Sequence, residues 1–100
     1  MNSVVITGEV GRFRHNKTGN GQTVANFSVL SERRFSARDG STKSNKVYMG
    51  VVVWGGAADL LMADGVSDGA VVLVQGHLAN EKDQNDNWRT IINGQQVAVL

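Results

Sequence analysis

The side chains best suited to chemistry stand on one stretch, Lys46 to Gly56 (KVYMGVVVWGG). It is rich in β-branched and aromatic residues and ends in two glycines, the pattern of a strand that stops abruptly. Side chains alternate between the faces of a strand, so Tyr48, Gly50, Val52 and Trp54 share one face, and Val47, Met49, Val51 and Val53 the other. The second set is wholly apolar and suits a core. The first carries two large flat rings with small residues between them. Two arrangements satisfy that pattern. The rings pack beneath a second layer of protein, as aromatics do in cores. Or they lie open as a platform for flat ligands, of which nucleic-acid bases are the commonest because every base has a π face.

Other chemistry is missing from the chain. There is no cysteine, which excludes disulfides, thiolate metal sites and a cysteine nucleophile. His15 and His77 stand alone, with no carboxylates at ligand spacing. No GxSxG, HExxH or GxxxxGK[ST] motif occurs, and the glycines of TGNGQ (Thr18 to Gln22) form a turn that no helix follows. Asp59 and Asp64 fit solvated or capping positions on a short helix. A binding protein is expected, not an enzyme, with no cofactor, no metal and no small-molecule substrate. No 18-residue apolar run and no charged-then-apolar N-terminal pattern is present, so no membrane association is expected, and the default is a soluble intracellular protein.

The elements that must position the two rings are those of a small β protein. One hundred residues, 41% of them hydrophobic, make one ordered domain, 1–100, with a core modest enough that self-association would help it. Proline is absent and glycine is abundant at 12 residues, as in a barrel whose bends use glycine. Ser3 to Arg14 reads as a first strand broken by Gly8 and Gly11, with Phe13 changing face after a bulge. Asn20-Gly21 turns the chain into Thr23 to Leu30, with Ala25, Phe27 and Val29 facing in and Asn26 and Ser28 out. Ser31 to Asn45 is polar and basic, a protruding hairpin or mobile loop with its tip near Asp39-Gly40. Its Phe35, between Arg34 and Arg38, either pins the loop to the barrel or closes over a nucleic-acid strand.

Ala57 to Ala63 follows the central strand as a short helix, a plug for a barrel end, stopped by Asp64-Gly65. Ala70 to Leu78 is the fourth strand, with Val72 and Val74 inward, Val71 and Leu73 outward as a subunit contact, and a bend at Gly76. Ala79 to Asn87 is a second polar hairpin, and the last strand runs from Trp88 towards Leu100. Five strands with a helix between the third and fourth give an all-β, five-stranded OB-fold barrel with two protruding hairpins. Charge is unevenly spread over it. Residues 1–50 hold eight cations against three carboxylates, and residues 51–100 two against six, which points to an anionic partner on one side.

With the strands in this order, the sequence resembles the bacterial single-stranded DNA-binding protein family. The matching pieces are VVITGEVGRF, NGQTVANFSVL, VYMGVVVWGGAADLL, DGAVVLVQGHL and GQQVAVL, spread over nearly the whole chain. The resemblance implies base stacking on Phe35 in the first hairpin and on Tyr48 and Trp54 in the central strand. Trp88 would stand in for a family tryptophan that is absent near Asp83. Arg33, Arg34, Lys43 and Lys46 would meet phosphates, and Arg12, Arg14 and Lys17 would extend the track. Gly50 stands where many relatives carry a basic residue, which should weaken phosphate contact there. The family usually continues into a long acidic-tipped tail, whereas this chain stops at Leu100, where the barrel ends.

The implied function is sequence-nonspecific binding and protection of single-stranded DNA in replication, recombination and repair. A cytoplasmic, nucleoid-associated homodimer or homotetramer is implied, with replication or restart proteins as further partners. Its subunit contacts would be the edge of the first strand and Val71 with Leu73. A chain of this length is also similar to primosomal replication protein B, an adaptor that binds single-stranded DNA and replication-restart proteins.

Overall fold

The computed structural model describes all 100 residues. Five strands and one helix follow in the order β1 (Val4–Lys17), β2 (Thr23–Ser36), β3 (Thr42–Trp54), α1 (Gly56–Ala63), β4 (Val71–Lys82) and β5 (Trp88–Val99). The strands close into a barrel in the order β1-β2-β3-β5-β4. Every contact between neighbours is antiparallel except β3 with β5, a parallel seam of three pairs from Val51↔Ile92 to Val53↔Gly94.

β1 closes the barrel because it serves two neighbours. Its first half, Val4 to Glu9, pairs with β4, and its second half, Glu9 to Lys17, with β2. The crossing needs a residue without a side chain, since a Cβ at Gly8 would come 2.1 Å from the Leu30 carbonyl oxygen. Just beyond, the register shifts between Gly11 and Arg14, and Arg12 adopts φ 52°. Such a conformation costs a non-glycine residue about 1–3 kcal/mol and persists only where the surroundings enforce it. Here the Phe13 N–H donates to Asp68 Oδ1 at 2.8 Å, and Gly69 N–H donates to the Val10 carbonyl at 2.8 Å. The bulge turns Phe13 inward, where its ring lies 5.8 Å from that of Phe27. Gly76 is the matching bend in β4, where a Cβ would come 2.0 Å from the Asn93 carbonyl oxygen.

The core is aliphatic: Val10, Ala25, Val29, Val51, Val53, Val72, Val74 and Ile92 line it with Phe27. α1 plugs one end through buried Ala58 and Leu61. Thr23 Oγ1 donates to Asp59 Oδ1 at 2.6 Å and ties the helix to the rim.

Both hairpins are strand pairs, not mobile loops. β2 and β3 stay in register out to Ser36↔Thr42, and β4 and β5 out to Lys82↔Trp88. These two arms stretch the molecule to 56 Å in its longest dimension, against 33 and 27 Å in the others. They also correct one inward assignment. Val47 alternates in phase with Val51 and Val53, yet it is 52% exposed, because the arm beyond Met49 is a two-stranded ribbon with nothing packed against it.

Candidate nucleic-acid interface

Cross-strand register turns the outer wall of β1, β2 and β3 into a ladder, since residues directly opposite each other project from the same face. Starting from the helix end, the first rung holds Asn16, Val24 and Trp54, and the second Arg14, Asn26 and Val52. Gly11, Ser28 and Gly50 make the third, and Glu9, Leu30 and Tyr48 the fourth. The same face continues along the β2–β3 arm as Glu32 with Lys46 and Arg34 with Ser44. At ~3.4 Å per residue the two rings are held roughly 20 Å apart.

Both rings are open. Tyr48 is 70% exposed and Trp54 45%, so neither packs beneath a second layer. The space between them is only partly clear. Val52 is buried on the outer wall with Val24 and Ile91 in a small cluster of its own, which Ala79 covers in part. The sequence places a small residue with room around it at Val52, but the register brings Ile91 of β5 alongside. The open floor lies at Ser28 and Gly50. There a groove of ≈ 120 Å³ runs past Arg12, Arg14, Asn26, Val52, Arg89 and Ile91. A Cβ at Gly50 would meet the Ile91 side chain at 3.5 Å, an ordinary contact, so glycine is not forced there.

The remaining residues singled out from the sequence divide between surfaces. Arg14, Arg34 and Lys46 share the wall with the rings, and Arg12 lines its groove. Phe35 pairs with Lys43 and Arg33 with Asn45, on the opposite face of the same arm. Phe35 is 37% exposed, with the Arg33 guanidinium 5.5 Å from its ring centre, so it does not pin the arm to the barrel. Lys17 pairs with Thr23 and borders a cleft against α1 with Asp59 and Met62. Trp88 pairs with Lys82 on the second arm, 66% exposed, with the Lys82 ammonium 5.3 Å from its ring.

At the first arm's tip the Asp39 carboxylate accepts Ser41 Oγ–H at 2.6 Å and Ser41 N–H at 2.9 Å. The hydroxyl bond, then the amide bond, hold its pKa below the usual carboxylate range. That carboxylate locks the turn and leaves the arm's cations to other partners. No group of three or more His, Asp or Glu side chains is placed to hold a metal ion.

The family model of the single-strand binding proteins matches residues 1–99. The chain belongs to that family. It is 33% identical over 97 residues to single-stranded DNA-binding protein 2 of Chlorobaculum tepidum, covering 92% of this chain and 64% of that protein. It therefore spans a little under two thirds of that relative's length. The fold matches the single-stranded DNA binding protein of Thermus aquaticus with a TM-score of 0.83 at 20% identity, over all of this chain and 50% of that one. It also matches the Plasmodium falciparum SSB complex with ssDNA, with a TM-score of 0.78 at 23% identity, over 100% of this chain and 93% of that one.

In this family member, sequence reasoning passed over Arg89, which the structure brings to the groove from β5. Half of the signal is local: alternation assigns its face, and only the β3–β5 pairing brings that face to the groove. Ile92 faces in, so Ile91 and Arg89 must alternate onto one face and Trp88 onto the other. Arg89 is fixed by Glu81, whose Oε2 accepts Nη2–H at 3.0 Å and Nε–H at 3.3 Å.

Proposed function

We propose that the wall between the two arms captures single-stranded DNA without sequence preference. The observation that carries this reading is the pair of exposed rings, Tyr48 and Trp54, on one barrel wall, with Arg12, Arg14 and Arg89 lining the groove between them. Family membership supports it, as does a fold neighbour that holds single-stranded DNA. Each base stacked on Tyr48 or Trp54 contributes ~1–3 kcal/mol, and any base serves because all present a π face. Arg14, Arg34 and Lys46, on the same face, meet the phosphates, so log K should fall with log salt by about 0.7 per phosphate contacted. Phe35, Arg33 and Lys43 take the strand where it passes round the first arm, and Trp88 where it reaches the second. Duplex DNA binds poorly because its paired bases hide their faces.

The reading extends to protection of single strands in replication, recombination and repair, in the cytoplasm and at the nucleoid. No helix is long and apolar enough to cross a membrane. The functional unit is a homo-oligomer. Val4 to Gly8 of β1 pairs only with β4, so its other edge is open to a second copy. Nearby Val5 is 62% and Val71 47% exposed, with Leu73 half-buried beside them.

Sedimentation with oligo(dT) of rising length reads stoichiometry and site size together, and competition with oligo(rU), oligosaccharide and duplex reads ligand class. Saturable binding of oligo(dT) that duplex does not displace supports the proposal. Equal competition by duplex would overturn it.

A further inference from the structure

Asn26 is a polar side chain on the wall floor that the stacking mechanism leaves unused. Register sets it directly between Arg14 on β1 and Val52 on β3. It is half-buried, yet its carboxamide makes no hydrogen bond within the protein, whereas the next residue on that face, Ser28, donates to the Gly11 carbonyl at 3.2 Å. Two spaces meet at it. One is the groove over Ser28 and Gly50; the other is a cleft of ≈ 610 Å³ beneath the second arm, lined only by polar residues. Arg14 and Arg89 border both spaces, and Glu81 holds Arg89 in place. The buried Val52 and Ile91 form the apolar side of the site.

A carboxamide presents an acceptor beside N–H donors. The Watson–Crick edge of every base likewise sets a donor next to an acceptor: N6–H and N1 of adenine, N4–H and N3 of cytosine, N3–H and O4 of thymine, N1–H and O6 of guanine. By turning its amide over, one asparagine complements all four. In a duplex those atoms are already paired. We propose that Asn26 forms a base-edge subsite that recognises whether a base is unpaired, not which base it is, with Arg14 and Arg89 taking the flanking phosphates. This rests on the wall binding single strands as proposed above. It adds a second discrimination against duplex, independent of ring stacking.

The test compares oligo(dT) with the same oligomer built from N3-methylthymine, which loses the N3–H donor but keeps its ring face and every phosphate. The full chain should bind the methylated oligomer about fivefold or more weakly, the lower range for loss of a bidentate base contact. Asn26→Ala should bind both oligomers alike, at the weaker affinity. Equal affinity of the unsubstituted protein for the two oligomers overturns the subsite, as does a difference that survives in Asn26→Ala. If neither oligomer binds, the strand-binding reading itself falls. Equal affinity within the unsubstituted protein overturns the subsite even if Asn26→Ala fails to fold, and Asn26→Asp, close in shape, then serves as the second variant.

Discussion

The two arms are built by the same rule, a strand pair continued past the barrel, but their charges are arranged in opposite ways. Residues 31–47 of the first arm carry five cations against two carboxylates, and residues 79–89 of the second carry two against three. On the first arm no cation lies within ion-pair distance of a carboxylate. On the second, Arg89 sits 3.0 Å from Glu81 and Lys82 3.9 Å from Asp86. Cations without an internal partner are free to release counterions from a nucleic-acid backbone. Cations already paired are positioned, so a phosphate that meets one is oriented by it and adds little to the net attraction. The first arm is therefore read as the electrostatic grip and the second as the wall of a polar cleft.

The sharpest way to break this contrast is to strip charge from each arm in turn. Replacing Arg33, Arg34, Lys43 and Lys46 together by glutamine should give the largest loss of affinity for oligo(dT). It should also flatten the salt dependence by about 0.7 for each phosphate contact removed. Lys82→Gln, on the second arm, should leave the slope unchanged; a comparable flattening in salt titrations would erase the distinction. Next in size come the arm aromatics. Phe35→Ala should weaken binding by about one stack, ~1–3 kcal/mol. Trp88→Ala should cost less, because both cations of its arm, Lys82 and Arg89, already have carboxylate partners and draw the strand onto that ring less strongly. Equilibrium titration of both variants against one oligomer measures the order. Smallest is Glu81→Gln. Its pair with Arg89 is partly exposed, with side chains 36% and 52% accessible, so the loss of stability should stay under about 1 kcal/mol in chemical denaturation. Strand binding should tighten slightly as a negative charge leaves the cleft.

What the sequence revealed, and what it did not, follows the range of the interactions. The inward alternation of Ala25, Phe27 and Val29, the Asn20-Gly21 turn, the bends at Gly8 and Gly76 and the plug after Trp54 are written in local pattern, and the barrel contains each of them. Strand ends were less legible. β2 runs to Ser36 and β4 to Lys82, because polar residues in an exposed ribbon lack the apolar alternation that marks a strand. Period two places Val47 inward, because alternation says nothing about where the covering layer ends. Site residues followed the same division. Tyr48 and Trp54 share a face by parity within one strand, so the sequence could place them together. Arg89, and the burial of Val52 by Ile91, depend on the parallel seam between β3 and β5, whose register no local pattern encodes. Phe35 lies on the arm face opposite Tyr48 because Tyr48 pairs across the turn with Leu30, which stands an odd number of residues before Phe35 on β2.

The central claim is that the open wall carrying Trp54 receives unpaired bases. Trp88→Phe leaves Trp54 as the sole tryptophan, and its fluorescence can be followed as oligo(dT), then duplex of equal length, is added. Strong saturable quenching by the single strand, reversed by salt and weak with duplex, is the result predicted. Emission that stays constant while the single strand demonstrably binds would contradict it.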